Sequence, residues 1–168
     1  MRLLMCLAYV AVLGIAAHFI GEGLPRRWFD PTRGLFAQTK FEKSGKLYRT
    51  LRVHRWKDKL PDMSRVSPDM VKKSVSLSAR AADVWQVALE TCVAEVVHLA
   101  LMLLSFPLYL IYPCPLGAVI AVAYGLSHIP FIIIQRYNRP TLVTLSERLK
   151  RREERMRHAH TDTLGQHR

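Results

Sequence analysis

The sequence predicts an all-α integral membrane protein with three transmembrane helices, namely an N-terminal helix and a helical hairpin, and an interfacial amphipathic helix. Half of the 168 residues are hydrophobic, yet the formal net charge is +12. The apolar residues are gathered into blocks of about the length that crosses a bilayer as a helix, and the charges lie in the segments between them. This segregation is typical of a bilayer protein and unusual for a soluble domain.

The first apolar block, Leu3 to Ile20, predicts transmembrane helix 1 within residues 1–20. A cleaved signal peptide is the alternative interpretation. Its basic region is a single Arg2, the apolar stretch is long for a signal, and Ala16-Ala17-His18 is a poor cleavage pattern. We therefore expect the helix to be retained.

Residues 79–140 are predicted to form the helical hairpin, transmembrane helices 2 and 3. Its apolar segments, Thr91 to Tyr112 and Leu116 to Ile134, are joined by the turn Pro113-Cys114-Pro115. We expect the first segment to continue a helix that begins near Ser78. Pro140 predicts a helix break at the preceding residue. Ser127, His128 and Pro130 predict a kink within the second segment.

The two remaining segments are basic: residues 21–78 are predicted to be cytoplasmic or interfacial, and residues 141–168 a charged, partly helical cytoplasmic tail. Because basic flanks favour the cytoplasmic side of a cell membrane, three crossings place the N-terminus outside and the C-terminus inside. No nucleic-acid-binding motif accompanies the charges, so membrane lipids are the expected partners rather than nucleic acid. Cys6, Cys92 and Cys114 lack CxxC spacing, and no metal site is expected.

An interfacial amphipathic helix is predicted inside the first basic segment. Phe41, Tyr48, Leu51 and Trp56 recur at nearly helical spacing, while most of the basic residues lie on other faces. The alternation from Leu47 to Trp56 also permits a strand. A second helix start is expected at Ser67-Pro68-Asp69, with the serine as N-cap.

A stripe of polar residues runs along the first hairpin segment. At about 100° per residue, one arc of about 140° contains Asp83, Glu90, Thr91, Glu95, His98 and Ser105. Ionisable groups at membrane depth cost about 2.5–3.5 kcal/mol each and normally face protein, water or a substrate. Glu95 and His98 are close enough to pair, so the carboxylate could orient the imidazole as a general base. The alternative is a set of packing groups that lock the helices together.

Counting outward from the turn predicts which residues of the two hairpin arms lie at the same depth. This count places His98 level with about Pro130, Glu95 with about Ile133 and Glu90 with about Asn138. The acids thus lie near the polar end of the third helix, which supplies hydrogen-bond donors and two fixed positive charges at the interface. These residues are Gln135, Arg136, Tyr137, Asn138 and Arg139.

Three stretches of the chain carry a family resemblance. They are FEKSGKLYR with RWKDKLPD in the basic segment, ETCVAEVVH in the first hairpin arm, and IPFIIIQRYNRP at the end of the second. Together they resemble the glycosyl-4,4'-diaponeurosporenoate acyltransferase family over roughly Phe41 to Met156. The resemblance implies a bacterial membrane enzyme that esterifies a sugar hydroxyl of a glycosylated carotenoid acid with a fatty acyl chain. This sequence departs from the family pattern at Cys92, Val93, Leu99 and His128.

The resulting hypothesis is O-acyl transfer to a glycosylated carotenoid or similar glycolipid. The predicted catalytic residues are His98 as base, Glu95, Glu90 and Asn138. The predicted substrate-binding residues are Gln135, Arg136, Tyr137, Arg139, Trp56, Lys57 and Thr91. No cofactor is expected, because the acyl donor is a co-substrate, an acyl thioester. The alternatives are a lipid-binding or assembly protein without turnover and, less favoured, proton-coupled transport.

Overall fold

A computed structural model describes residues 1–43, 45–60 and 80–165. Within these ranges all regular structure is helical. The α-helices are α1 (Arg2–Gly23), α2 (Lys40–Lys43), α3 (Lys46–Thr50), α4 (Val53–Trp56), α5 (Ala81–Leu103), α6 (Phe106–Ile111), α7 (Pro115–Ser127) and α8 (Ile129–Gly165), with 3₁₀ turns at Arg26–Trp28, Gly34–Phe36 and Lys57–Lys59. Three stretches are long and apolar enough to cross a membrane, Arg2–Gly23, Ala81–Ile111 and Pro115–Ala159. The predicted all-α class with three spanning helices is confirmed.

Helix α1 packs against the first arm of the hairpin, formed by α5 and α6. Cys6 is buried with its thiol toward the carbonyl of Leu108, and the Tyr9 hydroxyl donates to the carbonyl of Leu104 over 2.9 Å. The helix ends where Leu24 becomes extended ahead of Pro25. The end of α1 that leads into the basic segment therefore lies beside α5.

The hairpin arms are each divided into two helices. The first arm was predicted as one continuous helix, but α5 ends at Leu103 and α6 begins at Phe106, because Pro107 has no N–H to continue the ladder. At the turn, the Cys114 sulfur accepts from the amide of Gly117. Only glycine fits there, since a Cβ at residue 117 would lie 1.7 Å from the carbonyl oxygen of Tyr112.

The predicted kink near His128 is confirmed, because α7 ends at Ser127 and the His128 amide donates to the carbonyl of Gly125. The predicted break at Arg139 is wrong, since α8 runs through Pro140 to Gly165. Pro140 removes one backbone hydrogen bond, but the Arg139 side chain is anchored by several others to neighbouring segments. Tertiary contact therefore overrides the local preference, and the charged tail continues the third helix.

The basic segment is helical but not the single amphipathic helix predicted. It folds into α2, α3 and α4, which are separated by left-handed residues, Gly45 at φ 64° and Arg52 at φ 47°. These positive φ angles redirect the chain, so an extended apolar face does not form. The strand alternative is not observed in residues 45–60. The expected helix starts at Ser67 and Ser78 lie outside the described residues.

Helices α5 and α8 make the most extensive contact in the described chain. Their shared hydrophobic core contains Val84, Val87, Ala88 and Leu142. The start of α5 is held by α8, because the Ala81 amide donates to Glu153 and its carbonyl accepts from Ser146. This packing brings the polar stripe of α5 against the arginine-rich part of α8.

Candidate active site

The centre of the polar region is a buried ion-pair cluster between α5 and α8. Both oxygens of Glu95 are engaged: one accepts from Arg136 Nη1 over 2.7 Å and the other from Arg139 Nη2. Arg139 also donates to the hydroxyl of Thr91 over 2.8 Å and to its carbonyl over 3.0 Å. Glu95 and Arg139 are each only 2% exposed. The two opposite charges therefore compensate each other in a position where neither is exposed to solvent.

Glu42 completes the cluster from the basic segment. Its carboxylate accepts from Arg136 Nε over 2.6 Å and Nη2 over 2.9 Å, and also from Thr39 and the hydroxyl of Tyr48. The bidentate bond from Arg136 holds the pKa of Glu42 well below its usual range. Burial, followed by the hydrogen bond to Glu42, raises the pKa of Tyr48. Two carboxylates thus balance two guanidinium groups, so the cluster is neutral overall.

All five N–H donors of Arg136 meet protein acceptors. Besides Glu42 and Glu95, they reach the carbonyl of Leu35 over 3.0 Å and that of Ala37 over 3.3 Å. Arg139 Nη1 donates in the same way to the carbonyl of Phe36 over 3.0 Å, and its guanidinium lies 5.3 Å from the Phe36 ring. These bonds fasten the loop at residues 35–37 onto the hairpin.

The predicted pairing of Glu95 with His98 is replaced by a different one. Both Glu95 oxygens point to arginine, and the His98 ring meets the second hairpin arm instead: its Nδ1 lies 3.2 Å from Nδ1 of His128. His98 also stacks on Phe131, with ring centroids 4.7 Å apart. His128 and Phe131 lie on either side of Pro130 in the sequence, which agrees with the prediction that His98 lies level with about Pro130. The arginines prevail over the histidine because two full charges neutralise a buried carboxylate better than an imidazole does.

A cavity of about 310 Å³ opens between α1, α5 and α8. Its polar wall contains Glu90, Thr91, His98 and Gln135, all of which were predicted as site residues. Its apolar wall contains Ala17, Val93, Ala94, Val97 and Phe131. A space of this size with one polar and one apolar wall suits the junction of a polar headgroup and a hydrocarbon chain.

Glu90 has a structural partner that the sequence did not indicate. Its two oxygens accept from Arg26 Nε over 2.9 Å and Nη2 over 2.7 Å, and Gln86 donates to it as well. The remaining nitrogen of Arg26 donates to the carbonyls of Gly21, Glu22 and Leu24 at the end of α1. The bond to Glu90 raises the pKa of Arg26. This contact forms part of the cavity lining where α1 meets α5.

The other predicted site residues are placed less centrally. Asn138 is buried, and Tyr137 packs edge-on against Tyr48 with Lys57 Nζ 5.8 Å from its ring. The Trp56 indole donates to the carbonyl of Leu51 within the basic segment. None of these four residues lines the cavity described above.

Sequence reasoning missed Glu42, Arg26 and Phe131 and left His128 undecided. Glu42 had a usable signal, because it is an isolated acid among lysines in the FEKSGKLYR stretch. Arg26 had none, since it lies in a basic run with no feature that distinguishes it from Arg27. Among the described residues, no group of three His, Cys, Asp or Glu side chains is arranged to hold a metal ion.

The fold and the site define a helical protein with three stretches of membrane-spanning length and a cavity lined by both polar and apolar residues, one of which is His98 of the histidine pair. The comparison with known families makes the assignment specific. The profile of the glycosyl-4,4'-diaponeurosporenoate acyltransferase family matches residues 25–148. The chain therefore belongs to this family and is an acyltransferase.

Individual relatives agree with this assignment over nearly the whole chain. A glycosyl-4,4'-diaponeurosporenoate acyltransferase of Staphylococcus aureus strain bovine RF122 / ET3-1 is 29% identical over 153 residues, covering 89% of this chain and 91% of the relative. The protein of the same name from strain MRSA252 is 28% identical over the same coverage. No solved structure matches the chain.

Proposed function

We propose that this protein transfers a fatty acyl group from an activated donor, an acyl thioester, to a sugar hydroxyl of a glycosylated carotenoid acid at the cytoplasmic membrane. The observation that carries the proposal is the position of His98, which lines the half-polar cavity while its Nδ1 is held by His128. The names of the two Staphylococcus aureus relatives support the class of acceptor.

The acceptor is proposed to occupy the cavity between α1, α5 and α8. Its sugar would face Glu90, Thr91 and Gln135, and its hydrocarbon part would follow the apolar wall. Carboxylate, hydroxyl and amide groups of this kind are suited to hydrogen bonding with sugar hydroxyls. Because Arg26 and Gln86 engage both oxygens of the Glu90 carboxylate, its proposed role is to orient the sugar rather than to accept the proton.

His98 is the proposed general base. Because Nδ1 faces His128, Nε2 is the ring nitrogen that takes the proton from the sugar hydroxyl. The hydroxyl oxygen then attacks the thioester carbonyl and forms the ester bond, and the carbon–sulfur bond breaks. The proton on His98 passes to the departing thiolate, which leaves as a thiol. Gln135, which lines the same cavity, is the proposed amide donor for the oxyanion that forms during attack.

The proposed orientation places the N-terminus outside and the C-terminus in the cytoplasm. The basic segment and the charged part of α8 then share the cytoplasmic side. The polar end of the cavity is at the end of α1 that joins the basic segment, so an acyl donor from the cytoplasm would approach it from this side.

The proposal is tested by expressing the chain in a host that makes a glycosylated carotenoid acid and analysing its membrane lipids by mass spectrometry. We expect a new ester heavier than the acceptor by one fatty acyl group. Replacing His98 by Ala should reduce the transfer rate by about 10² to 10⁴-fold, the usual contribution of a general base. His54→Ala is the matched control, because His54 is exposed on α4.

Two outcomes would contradict the proposal. One is an unchanged transfer rate in His98→Ala protein that is folded and inserted, as judged by size-exclusion chromatography and by detergent extraction from membranes. The other is a parent protein that forms no acyl ester when donor and acceptor are both supplied to purified protein.

A further inference from the structure

A second cavity, of about 230 Å³, lies on the basic-segment side of the ion-pair cluster. Its walls come from the loop after α1, from α2 and from α8, and include Gln38, Lys43, Arg139 and Thr144. We infer that this cavity binds the phosphate group of the acyl donor. The inference rests on the proposed function and adds a separate donor site to it.

The charge at this wall favours an anion. Glu42 and Glu95 together balance Arg136 and Arg139, so the Lys43 ammonium is the excess positive charge among the lining residues. Asp30 lies near this wall, but its carboxylate accepts a hydrogen bond from the hydroxyl of Thr32, a lining residue. The same carboxylate pairs with Arg33. A phosphate would therefore meet a positive surface.

Donors for the phosphate oxygens are present on more than one element. Of the five N–H groups of Arg139, four donate within the described structure, which leaves the second hydrogen of Nη1 for a ligand. Gln38 supplies an amide, Thr144 a hydroxyl and Lys43 three ammonium hydrogens. By contrast, all five N–H groups of Arg136 donate to protein acceptors, so Arg136 has no hydrogen left to donate to a phosphate.

The two cavities share a wall. Gln135 lines the acceptor cavity and its neighbour Arg136 lines the second one, on adjoining faces of α8. Thr91 lines the first and accepts from Arg139, which lines the second. Only the phosphate end of the donor is placed in the second cavity, and its thioester end must reach the acceptor cavity beside it for the hydroxyl to attack directly.

The test measures donor and acceptor kinetics separately, with purified protein in neutral phosphatidylcholine nanodiscs and palmitoyl-coenzyme A as donor. We expect Lys43→Gln to raise the KM for the donor about tenfold, as for the loss of one charge-assisted hydrogen bond, with the KM for the acceptor unchanged. Thr144→Val should act in the same direction. Lys40→Gln is the control, since Lys40 lies on the same short helix but does not line the cavity.

A donor KM that is equal in Lys43→Gln and Lys40→Gln would overturn the inference, because the effect would then be one of general surface charge. Binding of free coenzyme A to the same variants separates this result from a failure of the proposed function. Binding that depends on Lys43, without acyl transfer, would retain the anion site and reject the function. Transfer with the same donor KM in parent and Lys43→Gln would retain the function and reject the site.

A phosphate can also belong to a lipid headgroup. A second arm therefore omits palmitoyl-coenzyme A and supplies nanodiscs with phosphatidylglycerol as the only acyl source. Ester formation that is reduced by Lys43→Gln in this arm would assign the site to a phospholipid donor. Formation that requires palmitoyl-coenzyme A would assign it to the soluble thioester.

Discussion

Glu42 and Arg136 lie 94 positions apart and form a two-point ion pair, with Nε to Oε1 at 2.6 Å and Nη2 to Oε2 at 2.9 Å. Arg136 in turn reaches Glu95, so one guanidinium joins the basic segment, α5 and α8. The basic segment is therefore a structural part of the site, in addition to any role of its positive charge in setting membrane orientation.

Removing Glu42 should destabilise the protein markedly. Glu42→Ala leaves the largely buried Arg136 without half of its negative partners, which costs about 3 kcal/mol in the free energy of unfolding. The measurement is thermal or denaturant unfolding in detergent micelles, with Glu154→Ala as the control for loss of an exposed acid on α8. The double variant Glu42→Ala/Arg136→Leu should recover part of the loss, because it removes both charges. Equal stability of Glu42→Ala and the control would contradict this account.

The same carboxylate predicts how stability depends on pH. The folded-state pKa of Glu42 is depressed below the ordinary value of 4.5, chiefly by the bond from Arg136. Its contribution is therefore fully present well above pH 4.5 and is lost as the pH falls below that value. Unfolding midpoints measured from pH 7 down to pH 3 should fall more steeply for the parent than for Glu42→Ala. Parallel curves for the two proteins would refute the prediction.

The sequence was sufficient for the features that depend on local pattern and length. Apolar run lengths predicted the three spanning stretches, and counting outward from the proline turn placed His98 beside the contacts it makes with His128 and Phe131. Family motifs identified the acyltransferase. These features can be predicted without knowing which side chains pair with one another in the folded protein.

The partners of the charged residues could not be predicted in this way. Spacing allowed Glu95 to pair with His98, but two arginines on another helix were better partners, and only the folded arrangement shows that all three meet. Pro140 is similar: its local preference for a break is overruled by the hydrogen bonds that hold Arg139. Glu42 is a third case, because a contact across 94 positions leaves no periodic signal.

His128 should act as a positioning residue for His98. The pair can share one proton between the two Nδ1 atoms, which fixes the tautomer and orientation of the His98 ring. We expect His128→Ala to lower kcat about tenfold, as for the loss of one hydrogen bond, with little change in KM. The amide oxygen of asparagine can accept a hydrogen bond from Nδ1–H of His98, so His128→Asn should recover most of the activity. The measurement is the pH profile of kcat for the parent and for the Ala, Asn and Leu variants at His128. A purely packing role would favour His128→Leu over His128→Asn.

The turn at the tip of the hairpin should tolerate no side chain at residue 117. A Cβ there would lie 1.7 Å from the Tyr112 carbonyl oxygen, a backbone atom that cannot move without opening the turn. Gly117→Ala should therefore lower the free energy of unfolding by about 1–3 kcal/mol, the usual cost of overpacking. Gly14→Ala is the matched control, because nothing lies within 4 Å of a Cβ at that position of α1, and it should be neutral or stabilising since alanine favours helix. Unfolding of both variants in detergent micelles decides the matter: equal midpoints would mean that the hairpin tip is not held in the close approach described here.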